Sequence, residues 1–130
     1  MKTLIKLTCF TIALSLILPM TVWAEIEVSR ITFCKDVVDL EPVEPAESFT
    51  SDVGKVYLFA EIKGADDSTL IKHIWYHEGE RVTSVDIIVN GPRWRTYSFK
   101  TIPEGRTGKW GVEITDEQER VIKPIALEIK

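Results

Sequence analysis

His73 and His77 are the chain's two histidines and stand four residues apart. On a helix that spacing brings both rings onto one face, within reach of one metal ion. The neighbouring residues do not spell a helix: Ile71, His73, Trp75 and His77 alternate with Lys72, Ile74 and Tyr76, the period-two pattern of a strand. At about 3.3 Å per residue the histidines lie roughly 13 Å apart on a strand. Zinc–nitrogen bonds are about 2.0–2.1 Å, so one ion cannot hold both. The expectation is no metal and no cofactor. Nucleophilic catalysis has no firmer footing. Ser98 stands in no Gly-x-Ser-x-Gly elbow, and nothing local joins it to a histidine. Asp66 with Asp67, and Glu44 with Glu47, fall in turn-like stretches and read as solvated charge rather than acid–base machinery. Asp66-Asp67-Ser68 lacks the spaced carboxylates of a calcium loop, and the glycines are single turn residues, not a phosphate cradle. A small hydrolase is therefore the least favoured reading, and the chain is expected not to be an enzyme.

Aromatic and basic residues interleave more suggestively. Three segments carry them: His73-Ile74-Trp75-Tyr76-His77-Glu78-Gly79, Gly91-Pro92-Arg93-Trp94-Arg95-Thr96-Tyr97-Ser98-Phe99, and Gly108-Lys109-Trp110-Gly111-Val112-Glu113-Ile114. Trp75 and Trp110 lie on strands with clear apolar faces and are expected in the core, where aromatics bury the most area. Trp94 sits between Arg93 and Arg95, so on a strand it faces away from both. Exposed arginines would make Trp94 a core residue; an exposed Trp94 would instead offer a stacking platform beside arginine. The candidate binding residues are His73, Trp94, Arg93, Arg95 and Tyr97. Arg93, Arg95, Lys100 and Arg106 would form a basic patch suited to acidic groups.

These residues must be held by strands. Val56, Leu58, Ala60 and Ile62 alternate with Tyr57, Phe59 and Glu61; Trp110, Val112 and Ile114 alternate with Lys109, Gly111 and Glu113. Turn residues separate such runs at Gly64–Ser68, Glu78–Glu80, Asn90–Pro92, Pro103–Gly105 and Asp116–Glu119. Seven strands are expected, near 26–33, 55–63, 69–77, 81–90, 93–101, 109–115 and 120–129. That spacing signals an all-β antiparallel sandwich, immunoglobulin-like or fibronectin-like. Asp36 to Ser48, with Pro42 and Pro45, reads as an extended connection rather than a strand, because proline removes ladder donors. Pro124 places the last strand at an edge or splits it.

The first 24 residues read as a leader. Lys2 and Lys6 precede an apolar run from Leu7 to Leu18, then Pro19, and Val22 and Ala24 fit the small-residue rule for cleavage before Glu25. The competing reading is an uncleaved anchor, since Leu7 to Trp23 is near the lower limit of a membrane span, about 17–25 residues. Lipidation at Cys9 does not fit, because the apolar run follows it. Cleavage after Ala24 leaves residues 25–130 as a single domain. The whole chain has 16 basic and 20 acidic residues and a net charge of −4; losing two lysines and no acid takes this to −6. An acidic chain does not suit nucleic acid, whose phosphates need a basic face. Only Cys34 remains, so no internal disulfide is possible, and the thiol reads as a small buried hydrophobe at a strand end beside Phe33.

Together the three aromatic segments resemble the family catalogued as domain of unknown function 2914. The resemblance rests on His73, Trp75, Tyr76 and Gly79; on Gly91, Trp94, Arg95, Thr96, Tyr97 and Ser98; and on Gly108, Trp110, Val112 and Asp116, with Phe33 and Glu41-Pro42-Val43 earlier. It covers nearly the whole mature chain, with one departure: Gln118-Glu119 stands where the family usually has a glycine. It implies an extracytoplasmic bacterial β-domain and brings no activity, cofactor or catalytic residue. The expected role is an exported, periplasmic or secreted, non-catalytic interaction module with a protein or envelope partner. A small-ligand or glycan binder using Trp94, Tyr97 and His73 is the alternative. Membrane contact is expected only through an uncleaved leader.

Overall fold

The computed structural model describes residues 26–130. The expected leader, its cleavage point and Cys9 lie outside the described residues. Nine strands form: β1 (Glu27–Val38), β2 (Glu41–Pro45), β3 (Ser48–Phe49), β4 (Lys55–Lys63), β5 (Thr69–His77), β6 (Glu80–Val89), β7 (Arg93–Thr101), β8 (Gly108–Asp116) and β9 (Val121–Ile129). They make two sheets, ordered β2-β1-β4-β7 and β3-β9-β8-β5-β6. Seven strands match those read from alternation. Taken as A, B, C, C′, E, F and G, the strands β1, β4, β5, β6, β7, β8 and β9 reproduce the immunoglobulin partition of A-B-E against C′-C-F-G.

The inward faces of the two sheets close one core. Phe33, Val56, Leu58 and Ile62 meet Ile71, Trp75, Val112 and Ile114. Trp75, on the strand in the C position, is fully buried, and its ring lies 5.9 Å from that of Phe33. Turn chemistry sets the β5–β6 connection: Glu78 and Gly79 both have positive φ, 48° and 79°, the signature of a two-residue type I′ hairpin. In the β8–β9 turn, Glu119 takes a left-handed φ of 63°. The Asp116 carboxylate holds that turn by accepting from the Gln118 and Arg120 amides, each at 2.9 Å.

Two expectations need correction. The Asp36–Ser48 stretch is not merely a connection. β1 runs on to Val38, turns through Asp39 and Leu40 at φ 51° and 56°, and pairs antiparallel with β2. Pro42 and Pro45 are tolerated because β2 is an outer strand, where a missing N–H can face away from the ladder. β3 then adds a two-residue parallel pairing to β9 beside the antiparallel ladders. Pro124 sits within β9 opposite Glu113; β3 covers β9 only at Glu128 and Ile129, so the side of β9 away from β8 is open at the proline. Cys34 is also mid-strand rather than at a strand end; it is buried, its thiol lies 3.8 Å from the Tyr57 carbonyl, and burial raises its pKa.

The β1–β2 hairpin does not continue the sheet in a straight line. Were β1 straight, Val38 would stand roughly 26 Å from Arg30. Yet Glu41, paired to Val38, reaches Arg30 at 3.0 Å and Arg95 on β7 at 2.9 Å, and Arg95 also bonds the Leu40 carbonyl at 3.3 Å. The hairpin therefore folds back across the outer face of the four-stranded sheet. Beneath it Phe59 is fully buried, with the Arg30 guanidinium 4.9 Å from its ring centre. Glu41→Gln is expected to loosen this latch without unfolding the domain. Exposed ion pairs contribute about 0–1 kcal/mol, so global stability should hold within about 1 kcal/mol. Hydrogen exchange at residues 36–45 should quicken; unchanged exchange there would show that the ion pairs do not hold the hairpin.

Candidate interaction surface

β7 carries most of the sequence-derived candidates, and its alternation divides them. Arg93, Arg95, Tyr97 and Phe99 point outward; Trp94, Thr96 and Ser98 point toward the opposite sheet. Trp94 is half-buried and packs on the core, while Tyr97 is 45% exposed. His73, on β5, is fully buried. Thus the structure brings His73 to Ser98 inside the sandwich and leaves Tyr97 on the other side of the sheet. His73, Trp94 and Tyr97 do not share one surface.

The interior cluster has defined chemistry. Trp75 Nε1–H donates to Ser98 Oγ at 3.2 Å, and Ser98 Oγ lies 2.7 Å from His73 Nδ1. Oγ accepts from tryptophan and has both a proton and a second lone pair to offer Nδ1, so either neutral tautomer of the ring satisfies this contact. Nε2 has no hydrogen-bond partner among the described residues. Burial alone pushes the His73 pKa from 6.5 down to about 4, so the ring is neutral at pH 7. Serine and histidine are within reach of each other, but no carboxylate orients the ring, and both are buried. Such a pair can stiffen and specify the packing between the sheets; water and substrate have no opening to it. His77 lies at the domain's end, stacked on Trp110 with centroids 4.4 Å apart and Nε2 2.8 Å from the Thr107 carbonyl. Trp110 is 2% exposed.

The expected basic patch does not assemble. Arg93 pairs with Glu61 at 3.0 Å and Arg95 with Glu41 at 2.9 Å, so both charges are met within the molecule. Lys100 lies on the inward-facing side of β7, and Arg106 belongs to the β7–β8 loop beside His77. Glu61 itself is almost wholly covered. Its carboxyl accepts from Ser29 Oγ at 2.8 Å, and that bond, with the Arg93 guanidinium, keeps its pKa below the ordinary carboxylate value.

The same outer face carries an aromatic row instead. Tyr57 on β4 stands between Tyr97 and Phe99 on β7, with centroids 6.1 Å and 5.4 Å away. Phe99 is 48% exposed, and Lys55 Nζ lies 4.9 Å from its ring centre. The row is bounded by Arg95 and by the exposed Leu40 of the folded-back hairpin. Tyr57, Phe59 and Phe99 were the residues that alternation alone passed over. Their signal was present: in Val56–Ile62 the face opposite the core is aromatic as well. A separate cavity of about 570 Å³ opens at the hairpin base, lined by Lys35, Glu44, Phe49, Asp52 and Lys130 among others; none of the candidate residues lines it.

Comparison with known proteins adds one relation. No curated protein matches the chain. The family model DUF2914, described as a protein of unknown function, matches residues 68–129, from the start of β5 to the end of β9. Phe33 and Glu41-Pro42-Val43 lie outside the matched stretch, which is shorter than the resemblance suggested. Residues 68–129, carrying Trp75, Trp94 and Trp110 alike, match the DUF2914 family model, in agreement with the resemblance read from those segments.

Proposed function

We propose that this protein is an exported, non-catalytic interaction module that binds a protein or envelope component on the outer face of its four-stranded sheet. The observation that carries the reading is the row Tyr57, Tyr97 and Phe99, open to solvent on a face where the arginines are already neutralised. Aromatic residues with arginine at their margin are the composition of interface centres. A stripped-down polar surface would not need them. The non-catalytic reading rests on the sealed His73–Ser98 pair. Export rests on the charged, apolar and small-residue order of the first 24 residues. A glycan binder would keep only Tyr97 of its three residues on this face, so it is the weaker alternative.

Photo-crosslinking in intact cells tests the reading. A photoreactive residue at Tyr97 or Phe99 is expected to capture a discrete partner other than a second copy of this chain, whereas the same residue at the exposed Val121 on β9 should not. Absence of adducts at both aromatic positions, or equal labelling at Val121, would sink the proposal.

A further inference from the structure

The sandwich has several strand edges, and most are blocked. β2 carries Pro42 and Pro45, β3 is two residues long, and β9 beside it carries Pro124. β6 has an extra residue, Val82, opposite the Trp75–Tyr76 step of β5, a bulge that spoils pairing. β7 has none of these devices. It is nine residues long, pairs only with β4, and ends its sheet among the described residues.

The direction of its free backbone groups follows from two hydrogen bonds. The Gly64 amide donates to the Pro92 carbonyl at 3.0 Å, and the Ile102 amide donates to the Gly54 carbonyl at 2.8 Å. Both pairs extend the β4–β7 register without a shift. In an antiparallel ladder hydrogen-bonded pairs alternate with unbonded ones. The even-numbered residues of β7 therefore turn N–H and C=O toward β4. Arg93, Arg95, Tyr97, Phe99 and Thr101 turn theirs to the open edge.

This edge is complementary to itself. In an antiparallel pairing about a two-fold axis at Tyr97, Tyr97 meets Tyr97, Arg95 meets Phe99, and Arg93 meets Thr101. On the inward-facing side Trp94 meets Lys100 and Thr96 meets Ser98. No like charge opposes another, all nine residues are used, and both Arg95 and Lys100 gain an aromatic partner. An axis at Arg95 would instead set Arg95 against Arg95. Lys100 would ordinarily discourage strand addition; in this register it lies beside the second Trp94.

The geometry points to a second copy of this chain as the occupant of the β7 edge, joined as an isologous dimer through antiparallel β7–β7 pairing centred on Tyr97. The two four-stranded sheets then become one continuous sheet. Tyr57, Tyr97 and Phe99 of both copies line up across its outer face. The dimer goes beyond the binding role above and does not rest on it: that role can fail while the dimer forms, and the reverse.

Sedimentation of the purified protein is expected to give twice the chain mass at micromolar concentration. Tyr97→Pro removes one edge-facing N–H and should give the single-chain mass with an unchanged far-ultraviolet circular dichroism spectrum; its thermal midpoint should fall only by the share that dimerisation contributes. A cysteine scan checks the register independently of that variant. Hydrogen-bonded antiparallel partners have Cα atoms about 5.5 Å apart, inside the disulfide range of about 4.4–6.8 Å. Tyr97→Cys should therefore crosslink to itself on mild oxidation. Two copies of Phe99→Cys would lie roughly 13 Å apart along the strands and should not. Buried Cys34 adds no background. A monomer throughout the concentration range overturns the proposal, and so does crosslinking of Phe99→Cys as readily as Tyr97→Cys. Dimerisation with no partner captured in cells would leave this inference standing and remove the binding role.

Discussion

Between pH 6.5 and pH 4 the domain is expected to lose about 3 kcal/mol of stability, and His73→Leu to lose little over the same interval. The unfolded imidazole takes up its proton near pH 6.5; the folded one holds off until about pH 4, because charge on a buried ring has no solvent and no acid beside it. Within that window the unfolded chain binds more protons, so stability rises with pH. The contribution is complete above pH 6.5, erodes as pH falls, and is gone below about pH 4. A shift from 6.5 to about 4, at about 1.4 kcal/mol per unit, gives the figure above. The hydrogen-bonded carboxylates Glu41, Glu61, Asp52 and Asp116 have pKa values lowered from 4.5 or 3.8, so their contributions erode from those values downward, and the upper part of the window belongs to His73 alone. Urea unfolding followed by circular dichroism at pH 7, 5.5 and 4 measures this. An equal slope in the wild type and His73→Leu would show that the ring is solvated or otherwise paired.

Trp75→Ala is expected to lower the unfolding free energy by about 3–5 kcal/mol, the range for removing a buried large aromatic. Trp75 is fully buried, touches Phe33 across the sheets, and ties β5 to β7 through its bond to Ser98. Domains of this size have about 5–15 kcal/mol in all, so this one change would consume a large share. No disulfide is present among the described residues to limit the loss. Trp75→Phe separates the two contributions: it keeps most of the apolar contact but leaves Ser98 Oγ without its indole donor, and should lie between wild type and alanine. The measurement is the denaturation midpoint at pH 7. A midpoint for Trp75→Ala within error of the wild type would mean that the core closes over the space.

The strands were legible because alternation is a local property. Trp110, Val112 and Ile114 face the core for the same reason that the pattern is visible in the sequence. β2 was not legible, since its prolines forbid a central strand and say nothing about an outer one. The return of the hairpin over Phe59 was hidden too, because Arg30, Glu41 and Arg95 come from three strands and only the register unites them. The same holds for the candidate residues. Parity along β7 put Trp94 and Tyr97 on opposite sides, as sequence spacing alone allows. That Ser98 would meet His73 depended on the packing of one sheet on the other, 25 residues away in the chain. The arginines looked like a basic patch because their acids, Glu61 and Glu41, are remote in sequence.

The family stretch and the sandwich have different limits. Residues 68–129 supply four of the five strands in one sheet but, in the other, β7 alone. The layer facing Trp75 and Ile71 comes chiefly from β1 and β4, outside that stretch. The matched stretch is thus smaller than what must fold together. The stretch from residue 68 onward is one part of a cooperative unit: alone, it would leave the apolar faces of β5 and β8 without their opposite wall.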